Sequence, residues 1–133
     1  MTIRYQDSKL LFRALLANGI FSSLSGVALL AFDAPIATRL GIGELSLWPM
    51  GAMLLLFGLS LLRHAWRRKV SRAEAVLISV MDLGWVLGSA ALLLFQAQRF
   101  SSFGFAAILV VGAIVLLFFE MQAWALWRMR TAN

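Results

Sequence analysis

The run Ala106-Ala107-Ile108-Leu109-Val110-Val111-Gly112-Ala113-Ile114-Val115-Leu116-Leu117-Phe118-Phe119 contains fourteen residues without one polar side chain. It lies inside a longer apolar stretch, 100–127, whose only charge is Glu120. The hydrocarbon core of a bilayer is about 30 Å thick and takes roughly 20 apolar residues at 1.5 Å each, so this stretch is long enough to cross it. Working outward, three further stretches have the same character: 14–32 and 45–62, both uncharged, and 75–98, whose only charge is Asp82. Four such stretches in 133 residues leave too little polar surface for a water-soluble fold. The expectation is an all-α integral membrane four-helix bundle filling residues 1–133 as a single transmembrane domain. Its spans fall at about 10–32, 46–63, 72–95 and 102–127.

Composition agrees. Hydrophobic residues make up 62% and charged residues 14%, against about 45–50% and about 25% in soluble domains. Cysteine is absent, which excludes thiolate catalysis and Cys-ligated metal within the chain, and a single histidine, His64, excludes a multi-histidine site. No cofactor and no metal are expected. The net charge of +6 points to lipid head groups rather than nucleic acid, because the basic residues flank apolar spans. Arg4, Lys9 and Arg13 before the first apolar run resemble a signal peptide. That run is too long for an h-region of about 7–15 residues, and no small-residue cleavage site closes it, so a retained span is expected.

Basic residues accumulate on the cytoplasmic side of spans. Ten of them (Arg4, Lys9, Arg13, Arg63, Arg67, Arg68, Lys69, Arg72, Arg128 and Arg130) fall on one side of the predicted topology, against Arg39 and Arg99 on the other. Both termini are therefore expected in the cytoplasm, and the asymmetry argues against dual-topology insertion. Local signals mark the span ends. Asp7 or Ser8 suits an N-cap, Ser71-Arg72-Ala73-Glu74 has capping-box spacing, and Pro49 suits a first helical turn. Trp48, Trp66, Trp124 and Trp127 have the placement of interfacial anchors. The segment 35–42 reads either as a short interfacial helix or as an ordered turn. The basic segment Arg67-Arg68-Lys69, with Arg63 and Arg72, is expected to contact anionic lipid; a solvated loop is the competing reading.

A faint repeat runs through the chain. Leu24-Ser25-Gly26-Val27-Ala28-Leu29-Leu30-Ala31-Phe32 resembles 87–95, and Gly51-Ala52-Met53-Leu54-Leu55-Leu56-Phe57 resembles 112–118, at offsets of 63 and 61. A duplicated helical hairpin produces such a pattern, and so does chance among Leu/Ala/Gly-rich spans.

Small residues let helices approach in lipid, and Gly19-x-x-x-Ser23 and Gly84-x-x-x-Gly88 are the expected packing motifs. Four polar groups, Arg13, Asn18, Asp82 and Glu120, map to the cytoplasmic half of the spans and are expected to form an intramembrane cluster. Asp82 lies eight residues past Glu74, about 12 Å along the helix. A carboxylate at mid-bilayer costs at least ~2.5–3.5 kcal/mol, so it must be paired, hydrated or protonated. Two readings follow. Asp82 and Glu120 form a structural network with Arg13 and Asn18, the favoured reading, or they bind a proton or cation. Asp82 and Gly84 stand about 200° apart on their helix, so neither face of that helix suits lipid and a homo-oligomer is expected.

Ala17-Asn18-Gly19-Ile20-Phe21-Ser22-Ser23-Leu24-Ser25-Gly26, then Pro35 and Leu40-Gly41-Ile42, then Met81-Asp82-Leu83-Gly84-Trp85-Val86-Leu87-Gly88-Ser89 form a pattern that resembles small bacterial four-span, DoxX-like hypothetical membrane proteins. The resemblance covers the whole chain and rests on mostly apolar motifs. It implies a bacterial inner-membrane location and a four-helix bundle, and no activity. No nucleophile–base or metal constellation is visible. The expected function is therefore a non-enzymatic inner-membrane protein that binds a membrane partner or lipid. The alternative is a small homodimeric proton- or cation-coupled transporter or channel using Asp82 and Glu120.

Overall fold

Ser8, not Asp7, starts the first long helix: its Oγ accepts the Leu11 N–H at 3.2 Å, while Asp7 turns back to the Arg4 N–H at 2.8 Å. In the computed structural model, which describes residues 1–43 and 45–131, the order is β1 (Thr2–Arg4), α1 (Lys9–Ala31), α2 (Asp33–Leu40), α3 (Trp48–Arg67), β2 (Lys69–Ser71), α4 (Arg72–Phe95), a 3-10 turn (Ala97–Arg99) and α5 (Ser102–Thr131). The capping box of α4 is present in full. Ser71 Oγ accepts from the Glu74 N–H at 3.1 Å, and Glu74 Oε2 accepts from the Ser71 N–H at 3.0 Å.

The chain is all-helical apart from one two-stranded ribbon, and three helices, α1, α4 and α5, are long and apolar enough to cross a membrane. α3 is different. Pro49 and Arg63 bound its uncharged run at 50–62, apolar except for Ser60, which gives only about 20 Å of apolar length at 1.5 Å per residue. Much of the helical surface is exposed and apolar, with Leu56 70%, Phe95 73% and Leu94 76% accessible. Such a surface suits lipid better than water.

The ribbon is absent from the sequence reading. β1 pairs antiparallel with β2 in the register Thr2↔Ser71, Ile3↔Val70, Arg4↔Lys69. Alternation explains it: Ile3 and Val70 point inward, 0% and 2% exposed, while their neighbours on the strands are less buried. The ribbon ties the chain's start to the basic segment. Below it Leu11, Leu15, Leu61, Ala75, Ile78 and Ala125 close the core.

α3 packs on α1, α1 on α5, and α5 on α4, while α3 and α4 scarcely touch. The α1–α3 contact is the tightest. A Cβ on Gly26 would stand 2.6 Å from Leu55 N and 2.7 Å from Gly51 O, and one on Gly58 would stand 2.6 Å from Ser23 N. Gly19 and Ser23 both lie in this seam. Gly84 and Gly88 do not pack within the chain, for nothing lies within 4 Å of a Cβ at either. The α4–α5 pair instead meets at Ser89, whose Cβ is 3.5 Å from where a Cβ of Gly112 would be.

At the end away from the ribbon, α2 takes the helical of the two readings of 35–42, offset to Asp33–Leu40 and closed by Gly41 at φ 85°. Asp33 holds the start of α3, accepting the Leu47 N–H at 2.6 Å and the Ser46 hydroxyl at 3.0 Å. The two connections at this end meet where the Ser101 N–H donates to the Leu40 carbonyl at 3.0 Å.

Candidate functional site

Asp82 is the centre of a buried polar chain joining three helices. Asn18 Nδ2 on α1 donates to Asp82 Oδ2 at 2.7 Å, and Gln122 Nε2 on α5 donates to the same oxygen at 2.9 Å. Outside them, Ser22 Oγ donates to Asn18 Oδ1 at 3.1 Å and Ser79 Oγ donates to Gln122 Oε1 at 3.2 Å. All five residues are buried, from 0% exposed at Asn18 and Gln122 to 6% at Ser79.

Helical spacing explains who joins. Asn18 and Ser22 are four apart and Ser79 and Asp82 three apart, so each pair shares a face. On α5, Val115, Phe118, Gln122, Ala125 and Leu126 follow that spacing along one buried face. Glu120 lies two residues from Gln122, about 200° round the helix, and is therefore exposed. Arg13 lies five residues before Asn18, about 140° away, and is also exposed. Of the four expected cluster members, the structure brings Asn18 and Asp82 together and leaves Arg13 and Glu120 outside. Gln122 takes the third position. Gln122 was not among the expected members; the buried face that Val115, Phe118 and Ala125 form in the fold is what marks it.

Two amide donors do part of what a cation does for the carboxylate. A hydrogen bond to a charged group contributes ~1.5–3 kcal/mol, so two match the ~2.5–3.5 kcal/mol that burying a carboxylate at mid-bilayer costs. Such a network fixes the rotation of α1, α4 and α5 against one another. Among the described residues, no group of three or more His, Cys, Asp or Glu converges to hold a metal ion.

A second feature lies at the ribbon end. A groove of about 770 Å³ opens between α1 and α3, with Phe12, Leu16 and Leu62 on its walls and Arg13 and Arg68 on its rim. Trp66, 89% exposed, stands at its edge. The Arg68 guanidinium lies 5.1 Å from the centre of the Tyr5 ring, within cation–π range. Arg63, Arg67 and Lys69 are exposed nearby in the chain, and Arg72 is partly covered at the start of α4.

No protein-family model, curated protein or solved structure matches this chain. Function is therefore argued from these two features alone. The carboxylate network is internal, with both amides on Asp82 Oδ2; the groove is open and carries two arginines.

Proposed function

We propose that the chain is a small four-span protein of a bacterial inner membrane, with both termini in the cytoplasm, that works without enzymatic activity by binding anionic lipid. One observation carries this reading: a groove with apolar walls opens beneath two arginines at the end of the molecule that holds most of the positive charge. β1 and β2 are paired, and Gln6 to Leu10 lie beside Ala125, Arg128 and Met129. The N-terminus, the 67–72 segment and the end of α5 therefore share one end, with ten of the twelve basic residues.

Connectivity supports a fourth crossing. α1 leaves the ribbon end and α4 starts from it, so α3 must return the chain across. Its short apolar run places Arg63 and His64 at the interface, where long basic side chains reach water. Duplication also gains support. Gly26 packs near Gly51, and Ser89 packs near Gly112, positions that correspond at the offsets of 63 and 61 in the repeat. The pattern is consistent with the resemblance to small DoxX-like four-span proteins. The open Gly84–Gly88 face of α4 fits self-association.

Native mass spectrometry of the detergent-extracted protein tests the lipid reading. Retained phosphatidylglycerol in preference to phosphatidylcholine is expected; equal retention of the two would contradict it.

A transporter is the second reading, favoured by one fact: Asp82 bonds to neutral amides rather than to a cation. An unpaired intramembrane carboxylate is a common element of ion pathways. Ion-coupled uptake into liposomes that disappears in Asp82→Asn would establish it. Glu120, exposed on α5, has no part in that site.

A further inference from the structure

Building on the lipid-binding reading, we infer that the α1–α3 groove is a defined site for one anionic glycerophospholipid, its phosphate held between Arg13 and Arg68 and an acyl chain lying along Leu16 and Leu62. Diffuse attraction to a charged leaflet would need only a basic loop, and three further observations favour a built site.

The first is that, among the described residues, no acidic side chain lines the groove. Four of the five described acidic residues are engaged elsewhere: Asp7 on the Arg4 N–H, Asp33 on Leu47 and Ser46, Glu74 on Ser71, and Asp82 on Asn18 and Gln122. The fifth, Glu120, lies on an exposed face of α5, and the groove is lined by α1, α3 and the ribbon end. Two guanidiniums on one rim with no carboxylate in the lining complement a phosphate, whose oxygens accept paired N–H donors.

The second is that Arg68 is set in place. It is the one non-glycine residue among those described with a positive φ, 53°, a conformation that L side chains adopt at a cost. Its backbone is held on both sides: its N–H donates to the Ala65 carbonyl at 3.3 Å, and its carbonyl accepts the Tyr5 N–H at 2.9 Å. Tyr5 then supports the guanidinium from below. Strand β1 thus fixes one half of the rim, and the first turns of α1 fix the other.

The third is continuity from polar rim to apolar wall. Leu16 lies one helical turn beyond Arg13, in the direction of the membrane interior, and Leu62 precedes Ala65 and Trp66 on α3. A free phosphate would use the rim and leave these walls bare. A glycerophospholipid uses both, and Trp66 sits where an indole meets head groups.

The test uses the full chain in nanodiscs, with phosphatidylglycerol titrated into phosphatidylcholine and bound lipid counted by native mass spectrometry. General attraction predicts about a fivefold loss per basic residue removed, wherever it lies. The site predicts at least about a tenfold loss for Arg13→Gln and for Arg68→Gln, and no more than about fivefold for Lys69→Gln. Leu16→Trp, which fills the wall and leaves the charge unchanged, should also weaken retention and serves if Arg68→Gln fails to fold. Equal losses at Arg13, Arg68 and Lys69, with Leu16→Trp silent, would overturn the groove as a defined site and leave only general attraction of anionic lipid to the basic end. No preference for phosphatidylglycerol in the parent protein would overturn both.

Discussion

Asp82 shows how a single contact changes what a substitution means. Pairing with Arg13 would make Asp82→Asn sharply destabilising, since a stranded buried charge costs ~3–5 kcal/mol, and Arg13→Gln would then restore part of the loss. The partners are Asn18 and Gln122. An asparagine at 82 keeps an oxygen for both donors and removes the buried charge, so Asp82→Asn is expected to change stability by no more than about 1 kcal/mol. Arg13→Gln added to it should bring no recovery. Asp82→Leu strands both amides and should cost ~1–3 kcal/mol for each. Thermal unfolding of the three variants in one detergent checks this ordering. A large loss for Asp82→Asn that Arg13→Gln repairs would restore the ion pair.

Among the helices, the seam between α1 and α3 and the bare face of α4 make opposite predictions for the same change. Gly58→Leu puts a side chain into the Ser23 backbone 2.6 Å away, and should destabilise by ~1–3 kcal/mol or more as the helices part. Gly84→Leu meets open space. It should leave the monomer's melting temperature unchanged or raised, since leucine is the better helix former by up to about 1 kcal/mol. If α4 self-associates, the same variant should release monomer in cross-linking, and an assembly unaffected by Gly84→Leu would remove the α4 interface. Ile3→Asp tests the ribbon. Burying a carboxylate against Val70 should unpair β1, free Arg68 from Tyr5 and lower the melting temperature.

Legibility followed how far each feature is local. The Ser71–Glu74 capping box is set by residues three apart and could be read from the chain, whereas the cap at Asp7 or Ser8 and the helix or turn near 35–42 were each left between two readings that only the fold separates. The ribbon joins residues nearly seventy positions apart through three alternating residues a side, too short a pattern to separate from a loop. Asn18 and Asp82 stood out as polar groups in apolar spans. Gln122 did not, because its place depends on the rotation of α5, which is visible only once Val115, Phe118 and Ala125 are known to face inward. Arg13 and Glu120 were misplaced for the same reason, since on α1 and α5 depth along the helix was read and rotation about it was not.

For the whole molecule, the account rests on four crossings with the ribbon end in the cytoplasm. The chain holds no cysteine, so single-cysteine variants report position without a background. Gly43→Cys and Gln98→Cys belong to the two connections at the end opposite the ribbon, and Arg67→Cys to the basic end. An impermeant maleimide applied to intact cells is expected to label the first two, and to label Arg67→Cys only after the membrane is opened. Labelling of Arg67→Cys from outside, or of Gly43→Cys and Arg67→Cys from the same side, would contradict the fourth crossing and the placement of the lipid groove with it.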